Sequence, residues 1–142
     1  MQSVLLVEDN KLTRFATQRL LTRAGCEVLV AEDGEEALRL ALAASPDVIL
    51  LDMLLPKLDG LSVLARLKRN PATAHIPVIV LTGLSSKNAE KLMEAGASGF
   101  VEKSQVLDDS SILLSMLHKL LPGGEVSHLL PKNRIDVASK VN

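Results

Sequence analysis

The sequence predicts a doubly wound α/β domain, in which helices cover both faces of a five-stranded parallel sheet. Three observations support this fold class. The chain has five short aliphatic runs, helix-length segments separate them in strict alternation, and the runs are continuously apolar. Because a strand covered on both faces needs apolar residues in both directions, such runs indicate a parallel sheet between two helix layers.

The first four strand runs consist only of valine, leucine and isoleucine, and the fifth contains a phenylalanine between glycine and valine. Aliphatic, mostly β-branched runs of this length are typical of short buried strands. The predicted strands cover residues 4–7, 28–30, 48–51, 78–81 and 99–101.

Start and stop signals delimit the helices between these strands. Gly25 and Gly96 end the first and fourth helices, because glycine readily adopts the left-handed cap conformation. Asp59 is a suitable N-cap for the third helix, and Pro46 and Pro71 stop the second and third. The predicted helices cover residues 11–24, 35–44, 60–69, 86–95 and 108–121.

Composition restricts the classes of function. The 142 residues carry 16 Lys and Arg against 17 Asp and Glu, with no Trp or Tyr. A near-neutral charge and few aromatic side chains argue against a nucleic-acid-binding protein, and no apolar run is long enough to cross a membrane. The single Cys26 fits a reducing compartment. We therefore expect a cytoplasmic protein, with an α/β domain over residues 1–121 and a tail or linker over residues 122–142.

Polar residues follow four of the strands directly. Glu8 and Asp9 follow the first strand, Asp52 the third, Thr82 the fourth and Lys103 the fifth. Ligands of doubly wound sheets bind beyond the carboxyl ends of the strands. In the flavodoxin-like strand order 2-1-3-4-5 the first and third strands are neighbours, so the three carboxylates converge there.

Three converging carboxylates repel one another and need a compensating charge. Lys103 neutralises one, and Mg²⁺, which prefers oxygen ligands, is suited to the others. Asp52 lies in the centre, where a carboxylate can attack phosphorus as a nucleophile. Taken singly, Asp9 is equally well explained as a helix cap, and Thr82 is better explained as a turn or cap residue. The coincidence of all these residues at strand ends favours the site.

Four sequence stretches carry a resemblance to a known family. They are residues 52–60 (DMLLPKLDG), 7–10 (VEDN), 80–83 (VLTG) and 96–103 (GASGFVEK). With them, essentially everything before the tail resembles a response-regulator receiver domain of bacterial two-component signalling. The resemblance implies that Asp52 accepts a phosphoryl group from a phosphohistidine on a sensor histidine kinase or a histidine phosphotransfer protein.

The resemblance also implies the other residue roles. Asp9, Asp52 and the backbone carbonyl of Leu54 bind Mg²⁺ or Mn²⁺, and Glu8 acts through a water. Thr82 and Lys103 hold the phosphoryl oxygens. When Thr82 moves toward the phosphoryl group, Phe100 turns inward. The surface of the fourth helix, fifth strand and fifth helix then changes for a downstream protein target.

Ser104 stands where the family usually has a proline, often after a cis peptide bond. Either this peptide carries strain near the site, or the loop has another shape. The departure leaves one alternative open, a receiver that acts as an interaction scaffold without phosphorylation. A phosphatase is not expected, because Leu54 occupies the position two residues after Asp52 where such enzymes place a second acid.

Apolar residues suggest three further properties. Leu54 and Leu84 flank the expected water path and cannot hydrogen-bond a water, so we expect slow self-dephosphorylation. The last helix is apolar almost all round, so either it forms a homodimer or partner interface, or Leu129 and Leu130 of the tail cover it. The first helix has a similar excess, and the resemblance implies that the phosphodonor docks there.

Overall fold

The computed structural model describes residues 2–55, 57–83, 89–108 and 110–121. Over these residues strands and helices alternate as predicted, except that two helices follow the fifth strand. The strands are β1 (Ser3–Val7), β2 (Glu27–Ala31), β3 (Val48–Asp52), β4 (Val78–Thr82) and β5 (Gly99–Glu102). The helices are α1 (Lys11–Arg23), α2 (Gly34–Ala44), α3 (Gly60–Arg69), α4 (Ala89–Glu94), α5 (Lys103–Asp108) and α6 (Ser111–Leu120).

The five strands form one parallel sheet in the order β2-β1-β3-β4-β5, which confirms the predicted fold class. Val7 of β1 pairs with Leu51 of β3, and Asp52 pairs with Leu81 of β4. This register brings the carboxyl ends of the three central strands to one edge of the sheet. Residues directly after these strands therefore share a single surface.

The core consists of two apolar layers, one on each face of the sheet. Val4 and Leu6 of β1 face the layer that α1, α5 and α6 cover, whereas Leu5 and Val7 face the layer of α2 and α3. All four side chains are fully buried. Because successive side chains of a strand point to opposite faces, a continuous apolar run fills both layers at once.

The end of the chain's helical part differs from the prediction of one helix over residues 108–121. The structure has α5 beginning at Lys103, directly after β5, and then α6 from Ser111. No peptide bond among the described residues is cis, and the bond between Lys103 and Ser104 is trans. Without a proline at position 104, the backbone enters a helix that buries Val106 in the core. The loop therefore has another shape than the usual one of the family.

Most of the apolar excess of α6 is used within the domain. Leu113, Leu114 and Leu117 are buried, and Ile112 and Met116 pack partly buried against the same core layer. A homodimer through this helix stays a prediction, as does cover by Leu129 and Leu130, which lie outside the described residues. Across the described part of the chain, none of the helices combines the length and the apolar character that a membrane span requires.

Candidate functional site

Three acids from two neighbouring strand ends form a compact cluster. Glu8 and Asp9 follow β1, and Asp52 ends β3. One carboxylate oxygen from each residue lies within 4.8 Å of the other two. Glu8 is 0% exposed and Asp52 1% exposed, whereas Asp9 is on the surface. Two of the carboxyl groups are thus removed from water, and the third opens the cluster to solvent.

The side chain of Lys103 reaches into this cluster from the far end of the sequence. Its Nζ donates hydrogen bonds to Asp52 Oδ2 at 2.8 Å and to Glu8 Oε2 at 3.1 Å. The other oxygen, Glu8 Oε1, is also 3.1 Å from Nζ but accepts no hydrogen bond. The predicted strand-end residues Glu8, Asp9, Asp52 and Lys103 are therefore in one place.

Electrostatics in the cluster favour a further cation. Burial, together with the hydrogen bond and the negative charge of Asp52, raises the pKa of Glu8 to about 7. Burial lowers the pKa of Lys103, but the carboxylates of Asp52 and Glu8 outweigh this effect and raise it. One ammonium balances only one of the negative charges that Asp9, Asp52 and ionised Glu8 carry. The buried Glu8 Oε1 without a hydrogen bond and the clustered oxygens fit a hard divalent ion.

The backbone fixes the orientation of Asp52. The amide of Leu54 donates a hydrogen bond to Asp52 Oδ1 at 3.1 Å, while Lys103 binds Oδ2. Asp59 caps α3 by accepting from the amide of Ser62 at 2.9 Å, and Gly60 N donates to the carbonyl of Met53 at 3.0 Å. The loop after β3 is thus held from both ends, so that the carboxylate has a defined direction.

Thr82 and Phe100 lie on the neighbouring strands. Thr82 is the last residue of β4 and is 4% exposed. Phe100 pairs with Val80 across the β4–β5 register and is partly buried against the α2–α3 layer of the core. The two residues of the predicted switch therefore sit on adjacent strands, and Thr82 is at the same sheet edge as the acids.

Two residues contribute to the site in ways that the sequence did not assign. Arg14 Nη1 lies 3.4 Å from the backbone oxygen of Glu8 and 3.1 Å from Glu32 Oε1. A Cβ atom at Gly60 would lie 2.5 Å from the backbone oxygen of Asp52. The ion pair joins separate elements, so no local spacing pattern indicates it. The sequence shows Gly60 only as the residue that follows the helix cap Asp59, and does not indicate its close approach to Asp52.

Comparison with protein families decides the identity of this fold and site. The family model described as "Response regulator receiver domain" matches residues 4–114. The chain belongs to this family. Receiver domains are generally non-enzymatic signalling modules, and sensor histidine kinases phosphorylate them. The chain is therefore a receiver domain of two-component signalling.

Individual receiver proteins are similar over most of the chain. The polar-differentiation response regulator DivK of Brucella anthropi is 37% identical over 103 residues, which is 72% of this chain and 84% of DivK. A protein-glutamate methylesterase/protein-glutamine glutaminase of Archaeoglobus fulgidus is 38% identical over 123 residues, or 82% of this chain. The match spans only 34% of that methylesterase. Its enzymatic activity therefore does not carry over with the receiver part.

A solved receiver structure shows the same fold with a metal. The receiver domain of the sensor histidine kinase PA1611 of Pseudomonas aeruginosa has a TM-score of 0.75 and 30% identity, and covers 84% of this chain and 96% of that one. It is described with a magnesium ion coordinated in its active-site cleft. The acidic cluster of this receiver domain is thus similar in kind to a site that holds Mg²⁺ in a relative.

Proposed function

We propose that this receiver domain accepts a phosphoryl group on Asp52 from a phosphohistidine of a sensor histidine kinase or a histidine phosphotransfer protein. One observation carries the proposal: the buried Asp52 carboxylate is held by the Lys103 ammonium at 2.8 Å and by the Leu54 amide at 3.1 Å, within a cluster of acids. This arrangement presents a fixed nucleophile beside a cation that stabilises phosphoryl oxygens.

The chemistry is a transfer between two nucleophiles. A carboxylate oxygen of Asp52 attacks phosphorus, the bond between phosphorus and the donor imidazole nitrogen breaks, and the imidazole takes up a proton from water. The new acyl phosphate carries its charge on oxygens for which Lys103 and the Thr82 hydroxyl supply hydrogen-bond donors. A divalent ion held by the acidic cluster would neutralise negative charge on the transferred group.

We assign the ion to Mg²⁺ or Mn²⁺, with Asp9, Asp52 and the Leu54 carbonyl as ligands and Glu8 acting through a water. Adding Mg²⁺ should raise the free energy of unfolding by about 1.4 kcal/mol at ten times its Kd, because it binds only the folded chain. Denaturant unfolding with and without a chelator measures this increment. Asp9→Asn should reduce it and Asp59→Asn, which changes an exposed acid outside the cluster, should retain it. An undiminished increment in Asp9→Asn would contradict the ligand assignment.

The direct test is incubation of the full chain with acetyl phosphate and Mg²⁺, followed by intact-mass measurement. We expect a gain of one phosphoryl group in the presence of Mg²⁺. No gain is expected when a chelator is present during the incubation. If the folded, Mg²⁺-binding chain gains no mass, the proposal fails. The alternative of a phosphorylation-independent interaction scaffold then takes its place.

The surface of α1 beside the acids is the place where we propose that the phosphodonor docks. Leu12 and Phe15 are 74% and 67% exposed, and basic residues of the same helix surround them. Exposed apolar side chains of this size favour a protein interface.

Phe15→Ser should slow phosphorylation by a phosphohistidine protein about tenfold, which corresponds to about 1.4 kcal/mol of lost contact energy. The rate with acetyl phosphate should stay the same, since a small donor needs no docking surface. Initial rates with both donors measure the difference. Leu42→Ser removes a comparably exposed leucine from α2 and serves as the control. Equal slowing with both donors would contradict docking at α1.

The acyl phosphate is expected to persist for minutes rather than seconds. Leu54, beside Asp52, is 69% exposed and has no side-chain group that can hydrogen-bond an attacking water. Leu84, the second residue of this prediction, lies outside the described residues. Decay of radiolabel from the purified phosphorylated chain measures the lifetime, and loss of label within seconds would show that water has another path.

Phosphorylation is proposed to act on a downstream protein through Thr82 and Phe100. Movement of Thr82 toward the phosphoryl group would open space for the partly buried Phe100 to turn inward. The affected surface comprises α4, β5 and α6, the last being the main part of the helix that the sequence predicts after β5. The cytoplasmic location, the division into domain and tail, and a homodimer remain predictions.

A further inference from the structure

The turn between β2 and α2 lies beside both loops that contribute acids to the site. It consists of Glu32 and Asp33, between the end of β2 at Ala31 and the start of α2 at Gly34. The β2 strand is at the edge of the sheet, next to β1. None of the proposed roles in metal binding or phosphorylation uses these two acids.

The first loop, between β1 and α1, is bound to this turn at Glu8. The amide of Glu8 donates to the carbonyl of Ala31 at 3.0 Å. The carbonyl of Glu8 faces Arg14 Nη1 at 3.4 Å, and the same nitrogen is 3.1 Å from Glu32 Oε1. Arg14 is largely buried, with a side chain 17% exposed. Both backbone polar groups of Glu8 are therefore connected to the end of β2.

The second loop, between β3 and α3, is bound to the same turn at Lys57. Lys57 Nζ lies 3.4 Å from Asp33 Oδ2, while Asp33 Oδ1 caps α2 by accepting from the Glu36 amide at 2.8 Å. Lys57 has a φ of +66°, a left-handed conformation that lysine rarely adopts. A Cβ at Gly34 would lie 2.5 Å from the carbonyl oxygen of Leu58, so the start of α2 touches this loop.

We propose that Glu32 and Asp33 are positioning residues that set the distance between the two acid-bearing loops through Arg14 and Lys57. The proposal rests on the proposed function, because its consequence is for Mg²⁺ binding and phosphorylation at Asp52. Exposed ion pairs add little to global stability. A small displacement of metal ligands or of a nucleophile, however, strongly reduces affinity and rate.

The test uses the full chain with single and paired variants. The single variants are Arg14→Met, Glu32→Gln, Lys57→Met and Asp33→Asn. One double variant combines the changes at Arg14 and Glu32, and the other combines those at Lys57 and Asp33. Asparagine at position 33 retains the cap of α2, so only the charge is lost. Lys57→Arg is the conservative variant expected to retain wild-type behaviour, and Glu35→Gln is the control for loss of an exposed acid in the same helix turn.

Four measurements are made on each variant: the Kd for Mg²⁺ by calorimetry, the initial rate with acetyl phosphate, amide hydrogen exchange without metal, and the free energy of unfolding by denaturant. We expect about tenfold weaker Mg²⁺ binding in each single variant. Each double variant should bind Mg²⁺ as well as the weaker-binding of its two single variants, because both changes break the same ion pair. Exchange at the amides of Asn10 and Leu54 should accelerate, because these amides donate to Glu8 and Asp52.

Wild-type Mg²⁺ affinity and exchange in all single variants would overturn the proposal. The proposal would also fail if the losses of Mg²⁺ affinity and of exchange protection tracked a general drop in unfolding free energy. The ion pairs would then contribute to stability alone. If the wild-type chain takes no phosphoryl group, the proposed function fails, whereas the Mg²⁺ and exchange measurements still decide the role of Glu32 and Asp33.

Discussion

Asp52→Asn should abolish phosphorylation of the chain by acetyl phosphate. An amide nitrogen or oxygen is a far weaker nucleophile than the carboxylate, and Asp52 is the acid whose carboxylate Lys103 holds at 2.8 Å and the Leu54 amide at 3.1 Å. The variant should still fold, because removing one of two adjacent buried carboxylates relieves like-charge repulsion with Glu8. Intact-mass measurement after incubation with Mg²⁺ provides the result.

Asp59→Asn is the matched control for this experiment. It makes the same carboxylate-to-amide change seven residues later, at an exposed helix cap. Asparagine caps helices about as well as aspartate, so α3 should be retained. We expect full labelling of Asp59→Asn and no labelling of Asp52→Asn. A phosphoryl group that persists in Asp52→Asn would place the acceptor elsewhere.

Gly60→Ala should destabilise the domain and impair the site together. The added Cβ would lie 2.5 Å from the backbone oxygen of Asp52 and 2.6 Å from Met53 Cα, both of which are main-chain atoms. Because backbone cannot rotate away as a side chain can, the loop after β3 must shift. We expect a loss of roughly 1–3 kcal/mol in unfolding free energy, and phosphorylation about tenfold slower, since Asp52 moves with the loop.

Gly83→Ala is the corresponding control. It lies next to Thr82 at the same edge of the sheet, but a Cβ there meets no atom of the described residues within 4 Å. Denaturant unfolding and initial rates with acetyl phosphate should show wild-type behaviour for Gly83→Ala. Unchanged stability and rate in Gly60→Ala would mean that the loop accommodates the methyl group and does not position Asp52.

The strand ends were predictable because their signal is local. A run such as Val48-Ile49-Leu50-Leu51 fills both faces of a parallel sheet, and the residue that follows it must lie at the carboxyl edge. The strand order then brings Asp52 beside Glu8. The placement of Asp52 beside Glu8 therefore follows from the two-residue period of a strand and from the topology of the fold.

Other features depend on contacts between distant elements, which periodicity does not contain. The apolar arc of α1 exceeds one face, so only packing against the sheet determines that Thr17 and Leu21 are buried while Leu12 and Phe15 face outward. The pairing of Arg14 with Glu32 follows from the placement of β2 beside β1. The early start of α5 at Lys103 could not be predicted, because the absence of a proline at position 104 allows a helix there but does not require one.

The hydrogen bond between Lys103 and Glu8 joins residues 95 positions apart. A growing chain on the ribosome therefore contains the acids well before the ammonium that balances them has been synthesised. Until the start of α5 emerges, the Lys103 ammonium is not available to the acids at this edge of the sheet. We therefore expect this edge to be among the last parts of the domain to assemble during synthesis.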